Sequence, residues 1–360
     1  MTMTMKKSGT YLPDDVEFLL TPIDMPSTTI LDKEKLIQSK GAHYSSMITH
    51  EQKPSDQYKD IFYKSLSHYE RLFSQDMVRL AYKILEDYQN ESSITIVSLA
   101  RAGTPIGVLL KRFLSGITDK EIKHYGVSII RDVGLDINAL NYIVENNKDT
   151  SIVFVDGWTG KGVIGNQLLK CVESYNLEKW TKVSGNLYVV LDISGTAHYG
   201  ASHEDYLIPS AILNSTVSGL ISRTVFNEEY LGKRDFHGFL FYEHLLEEDI
   251  SLWFVDHILE IMKGIKVSVK VQYPYLNLIN QKTIEKFQKE LDLADINYIK
   301  PGIGEATRVM LRRVPDTLYV QSKEHFSVQH LLLLAEEKNV PVIEKSNLFY
   351  HAVAIIKQLD

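Results

Sequence analysis

The sequence predicts an α/β fold: a twisted, mostly parallel sheet with helices on both faces, joined to a second, compact αβα domain. Three observations predict it. Ile152–Gly165 (IVFVDGWTGKGVIG) is an apolar run, one acid and a glycine turn, with helical periodicity over Gly162–Tyr175. Thr95–Leu114 repeats the pattern of strand, small-residue turn and helix, and Leu187–Leu191 adds another apolar run. Near-continuous apolar strands linked by helices are the pattern of βα crossovers buried on both faces. The charge then shifts near Lys263–Val267. Residues 264–360 hold 13 Lys+Arg and 11 Asp+Glu, net +2, against −9 for the preceding chain.

Taken in order, residues 1–65 read as an arm or hood, in which Gly41–Tyr58 (GAHYSSMITHEQKPSDQY) offers Tyr44 for stacking on a ring. Residues 66–263 form the sheet domain. Arg101 falls at the end of its first strand and Pro105 near the first helical position. His124–Asp136 (HYGVSIIRDVGLD) reads as a strand ending in Arg131-Asp132. Asp156 lies at the carboxyl end of the next strand, where open sheets bind ligands. The Thr159–Gly162 turn leads into a helix N-terminus, whose free N–H groups suit an anion that glycine lets approach. An ATP-type phosphate loop fails on spacing: Gly157 is too close to Gly160-Lys161, and Gly162 stands where Ser or Thr is needed. Two glycine turns and two arginines at strand ends suit a polyphosphorylated ligand.

These segments resemble the type I phosphoribosyltransferases, and in local motifs the uracil enzyme. The resemblance implies a pyrophosphate turn at Arg101, Ala102, Gly103 and Thr104, and a flexible loop opening at Arg131. It implies a phosphoribosyl pyrophosphate (PRPP) loop of Asp156, Gly157, Thr159, Gly160, Lys161 and Gly162, with Asp156 holding Mg²⁺. Asp205–Gly219 resembles the base-recognition strand through Tyr206 and Pro209, while Asn214, Ser215 and Thr216 replace the expected Gly-Asp pair. The implied reaction joins ribose 5-phosphate to a nucleobase-like acceptor and releases pyrophosphate. A PRPP sensor without turnover and an RNA-binding platform remain alternatives.

Over nearly its full length the chain resembles the phosphoribosyltransferase-like proteins of tellurium-resistance-type gene clusters, sometimes labelled cysteine protease StiP. A thiol nucleophile needs an exposed cysteine with a lowered pKa. The single Cys171 instead falls two turns into a sheet-covering helix, so the protease reading loses. The tail resembles the Pelota and kink-turn-binding ribosomal fold. It reads as helix Lys282–Leu293, strand Ile296–Lys300, helix Gly304–Arg313, strand Thr317–Val320, helix Val328–Lys338, strand Val340–Glu344 and a last helix from Asn347. That resemblance implies RNA contacts at Lys300, Gly302, Gly304, Arg308 and Arg312.

Composition fits a cytoplasmic protein. One cysteine excludes an internal disulfide, no apolar run approaches a membrane span, and the basic start MTMTMKKSGT lacks the apolar stretch of a secretory signal. A net charge of −7 argues against broad nonspecific nucleic-acid binding. His198 and His203 lack a third ligand at metal-binding spacing and read as loop histidines. The expected partners are PRPP, a base-like molecule and structured RNA, with a homodimer left open.

Overall fold

Six strands build the main sheet: β1 (Glu17–Phe18), β2 (Ser93–Leu99), β3 (Glu121–Val127), β4 (Ile152–Thr159), β5 (Leu187–Asp192) and β6 (Tyr199–Ser202). Their order is β1-β3-β2-β4-β5-β6, and every pairing is parallel. This computed structural model describes residues 7–39, 41–267, 276–293 and 295–358.

The apolar runs behave as buried parallel strands should. Along β4, Val153 and Val155 face one apolar cluster and Ile152 and Phe154 the other, all fully buried. The first face is covered by helices α2 (Asp56–Asp87), α3 (Thr104–Ile117) and α6 (Ser251–Lys263), and the second by α4 (Ile137–Asn146) and α5 (Val163–Lys179). The remaining N-terminal helix is α1 (Ile30–Gln38). Among the described residues no helix is long and apolar enough to cross a membrane.

The C-terminal part contains helix α7 (Leu276–Glu290), strand β7 (Ile299–Pro301), helix α8 (Ile303–Arg312), strand β8 (Pro315–Val320), helix α9 (Gln329–Glu337), strand β9 (Val342–Glu344) and strand β10 (Ala352–Ile356). Its sheet order is β7-β10-β8-β9.

Several expectations are corrected. No helix starts at Asn347. The run Ala352–Ile356 is fully buried and rich in β-branched residues, and it forms the central strand, antiparallel to β7 and β8. The strand expected from Ile296 starts only at Ile299, after a 3₁₀ turn. Asp205–Gly219 holds a four-residue helix, Ser210–Leu213, and a 3₁₀ turn, Asn214–Val217, in place of a strand. Pro209 lacks the N–H a ladder needs and starts that helix. The boundary expected at residue 65 falls inside α2, which runs unbroken across it, and β1 of the N-terminal arm extends the main sheet. Beyond β3, Arg131 and Asp132 lie at the tip of a small hairpin made by Ile129–Ile130 and Gly134–Leu135, with Asp132 at φ 68°.

The two parts share one apolar cluster, in which Ile303, Val309 and Leu331 join Phe73, Tyr206 and Ile208. Polar contacts fix the docking. The Asp205 carboxylate accepts the Ile303 N–H at 2.9 Å and the His351 N–H at 2.9 Å, capping α8 from outside its own domain. Arg313 meets the buried Glu34 of α1 with two bonds of 2.5 and 2.6 Å.

Candidate functional site

The strand order reverses between β2 and β4: from β2 the chain crosses to β3 on one side, then back to β4 on the other. Such a switch point opens a crevice at the carboxyl ends of the strands. Arg101 leaves β2 and Asp156 ends the core of β4 at that crevice, with Ser98 and Val155 in register beside them. The Ala100–Arg101 peptide is cis. The turn after it requires glycine, because a Cβ on Gly103 would sit 2.8 Å from the Leu99 carbonyl oxygen and 2.9 Å from that of Val155. Ala102 lines the crevice, and the Thr104 hydroxyl is buried without a hydrogen bond in the described residues.

The second turn is pinned from within. Thr159 Oγ1 accepts the Gly162 N–H at 3.1 Å, and Gly162 holds φ 74° with Thr196 packed where a side chain would stand. Asp156 Oδ1 accepts the Gly157 N–H at 2.7 Å. Burial pushes the Asp156 carboxyl up to about 6, against the attraction of Arg308.

The C-terminal domain closes over this turn. Glu305 packs against Gly160, where a Cβ would lie 3.1 Å from its Cγ. Asn280 donates to the Gly160 carbonyl at 3.1 Å, and Lys161 Nζ donates to the Ile296 and Ile299 carbonyls at 3.1 Å each. Gly304 lies against the Trp158 ring, a Cβ there meeting it at 2.8 Å, and Arg308 stands 4.5 Å from that ring's centroid while pairing with Glu305 at 2.9 Å. Burial and the nearby Lys161 push the Lys300 amine down to about 7. The Glu305 carboxylate stays below its ordinary range despite burial, because Arg308, Lys300 and Lys161 surround it. Gly302, at φ 83°, abuts Ile193.

Beside the first turn two adjoining cavities, about 250 and 110 Å³, share Arg101, Asn214, Arg223 and Arg312. The N-terminal segment forms one wall. Glu51 pairs with Arg101 at 2.7 Å and accepts the Ser215 backbone N–H at 2.9 Å and its hydroxyl at 2.5 Å. Thr216 and Tyr58 also line the larger cavity. Tyr44 accepts the Arg131 N–H at 2.8 Å, and the Arg131 guanidinium lies 5.4 Å from its ring centroid and 3.4 Å from Asn297 Oδ1. Burial, with Arg101 close by, brings the Arg312 guanidinium down to about 9; burial with Arg223 and Arg313 nearby brings the Lys33 amine to about 6. Arg101, Arg223 and Arg312 line both cavities, and Glu51 is the one acid among the described residues that line them.

Residues 9–259 match the family described as tellurite-like stress resistance cysteine protease StiP, and residues 278–358 match the PELOTA RNA binding domain. A protein named Cysteine protease StiP from Acinetobacter baylyi (strain ATCC 33305 / BD413 / ADP1) is 36% identical over 370 residues, 98% of this chain and 94% of that one. This chain belongs to the StiP family. Structural matches to the StiP-family chain include the Trypanosoma cruzi hypoxanthine phosphoribosyltransferase in complex with IMP. It has a TM-score of 0.31 and 14% identity, covering 51% of this chain and 93% of that one. The Leishmania tarentolae HGPRT-ase with GMP gives 0.29 and 14%, covering 37% and 76%.

In this StiP-family protein Cys171 stands half-buried on α5, its sulfur 3.0 Å from the Cβ position of Gly134, with no hydrogen-bonded base among the described residues. Of the base-contact candidates, Asn214 and Thr216 reach the cavities and Ser215 positions Glu51. Tyr206 is buried and donates to Asp76 at 3.0 Å, and Pro209 serves the helix start. Gly304 and Arg308 lie against the Trp158 ring and Arg312 borders both cavities, while the Arg308 side chain remains 41% exposed. Glu51, Lys33 and Arg223 are functional candidates that no motif singles out. Glu51 lies inside the Gly41–Tyr58 stretch, and Arg223 just beyond the small-residue segment. No group of three His, Cys, Asp or Glu side chains suited to a metal occurs among the described residues.

Proposed function

We propose that this protein is a PRPP-dependent transferase that moves a 5-phosphoribosyl group onto a base-like acceptor. One observation carries the reading: the pyrophosphate-type turn at Arg101 and the acid-then-glycine turn at Asp156 abut at the sheet's switch point, the Cβ position of Gly157 lying 3.6 Å from the Ala102 carbonyl oxygen, and four arginines line the cavity beside them. The backbone N–H groups of Thr159–Gly162 and the start of α5 would hold the 5′-phosphate. Arg101 and the Ala102–Thr104 backbone would take the diphosphate. As the C1–O bond breaks, its electron pair leaves with the diphosphate, and these donors stabilise the charge that develops there. The acceptor nitrogen's lone pair forms the new C1–N bond, and its proton passes to solvent. Asp156 fits a magnesium role: one carboxylate plus substrate oxygens is a donor set that ion uses, and Asp156 Oδ2 carries no hydrogen bond among the described residues. Magnesium held there with the donor would neutralise diphosphate charge. Arg131, tethered to Tyr44, would shield the sugar from water.

A second reading, a sensor that binds without turnover, draws on Glu305. Its side chain packs on Gly160 through Cγ, beside the turn where the 5′-phosphate would enter, so binding would have to move it. The peptidase activity in the family's name finds little support in Cys171. Calorimetric titration with PRPP and Mg²⁺ tests the binding step, with Asp156→Asn and Arg101→Ala expected to weaken it. Base-dependent pyrophosphate release then separates enzyme from sensor. A folded protein that ignores PRPP refutes both.

A further inference from the structure

The smaller cavity has an unusual lining. Four guanidinium groups border its 110 Å³: Arg101, Arg223, Arg308 and Arg312, the last two carried by α8 of the C-terminal domain. Two of the four are matched by acids, Arg101 by Glu51 and Arg308 by Glu305. The other two are not. Arg223 directs Nη2 at the carbonyls of Tyr44 and Met47, and its Nη1 is buried without an acceptor in the described residues. Arg312 makes no hydrogen bond or ion pair among the described residues and borders both cavities.

Arg312 feels the charge of Glu51, which already pairs with Arg101, so one acid serves two guanidinium groups; enclosed guanidinium groups short of counter-charge are costly, and an anionic ligand removes the cost. The planar fork of arginine matches phosphate oxygens two at a time. The cavity also adjoins Ala100–Ala102, the turn assigned above to the leaving group. A single carboxylate would satisfy one fork; two forks at this turn suit a diphosphate.

We infer that Arg312 and Arg223 are ligands of the donor's diphosphate group, so that the C-terminal domain completes the transferase site. This rests on the transferase reading and assigns to small-molecule binding a residue that the RNA-binding resemblance would give to RNA. Arg312 then joins Arg101 around the departing pyrophosphate.

The test titrates the full chain separately with inorganic pyrophosphate and with ribose 5-phosphate, for the wild type, Arg312→Ala, Arg312→Lys and Arg223→Ala. Removing either guanidinium, and with it a charge-assisted hydrogen bond, should weaken pyrophosphate binding roughly tenfold or more. Ribose 5-phosphate should change less than about twofold, and lysine at position 312 should recover part of the loss. If Arg312→Ala binds pyrophosphate like the wild type, the inference fails while the transferase reading stands. Equal weakening of both ligands also overturns it, because that marks a merely structural role. Wild-type protein that binds neither ligand removes the transferase reading and the inference together. An RNA hairpin whose binding depends on Arg312, with pyrophosphate indifferent to it, assigns the residue to RNA and overturns the inference.

Discussion

Asp156→Asn should stabilise the ligand-free protein while removing its ligand response. The Asp156 carboxyl has an ordinary value of 3.8 and is pushed to about 6 by burial beneath the C-terminal domain, only partly offset by Arg308 and the Gly157 N–H. At about 1.4 kcal/mol per unit, that corresponds to about 3 kcal/mol of folding free energy lost once the group is ionised in both states. The raised value means the folded state holds the proton more tightly than the unfolded one. The penalty is therefore absent well below pH 3.8, grows between pH 4 and 6, and is full above pH 6. Asparagine is never charged, and its carbonyl can still accept the Gly157 N–H, so the substitution isolates the charge. With an unfolding entropy of about 2.1 cal/mol/K per residue, 3 kcal/mol in a chain this long raises Tm by about 4 °C at pH 7.5. The gain should fall to about half at pH 5, where Asp156 is already largely protonated when folded.

Scanning calorimetry across pH 5–8, with and without PRPP and Mg²⁺, measures this. The wild type should gain Tm with ligand and the variant should not. A pH-independent gain, or a loss of stability at pH 7.5, would refute the claim that the carboxylate is desolvated in the crevice. Trading ligand-free stability for binding is common at active sites.

Three other outcomes follow from the same geometry. Glu34→Gln breaks the buried pair with Arg313 and should cost about 2–3 kcal/mol, read as a lower Tm and faster proteolytic release of the C-terminal domain. The Glu34 carboxyl is held low by Arg313 and Gln38 despite burial, so the wild-type advantage should hold above pH 4.5 and vanish as acid protonates it. Gly103→Ala drives a Cβ onto two backbone carbonyl oxygens, which should cost about 1–3 kcal/mol and weaken pyrophosphate binding measured by calorimetry. Cys171→Ser should leave PRPP binding and any peptide hydrolysis unchanged; loss of hydrolysis in a folded variant would reinstate the thiol nucleophile.

The parallel core was legible because its signal is local. Ile152–Val155 is apolar at every position, and only a strand covered on both faces uses such a run. The crevice was legible for a related reason: Arg101 and Asp156 each follow an apolar strand directly, so any parallel arrangement puts both at one edge. Ala352–Ile356 was misread because a short apolar run fits helix and strand alike, and its central place depends on β7 and β8, more than 30 residues upstream. Tyr206 matched a motif in spelling, yet the pull of the buried Asp76 decided where its hydroxyl went. Arg223 and Lys33 carry no motif; only the packing of α1 and the segment after Val217 around the crevice makes them neighbours of Arg312.

The glycine-rich start of α8 shows most sharply what a motif can and cannot convey. Gly304 permits close approach of the backbone to a flat partner, and a helix start offers N–H groups beside it. Those properties suit an RNA backbone, and equally the face of an indole. Here Trp158, one residue beyond Gly157 in the Asp156 turn, takes that place, and Arg308 stacks on the same ring. The residues that make the tail resemble an RNA binder are thus the ones that dock it onto the crevice. Gly304→Leu cannot keep that contact, since a Cβ already meets the ring at 2.8 Å. It should separate the domains and uncover α8. Pyrophosphate binding should then fall, because Arg312 leaves the cavity, while RNA binding, if the face retains any, should rise. A variant that loses neither docking nor pyrophosphate would show that the indole contact does not hold the two parts together.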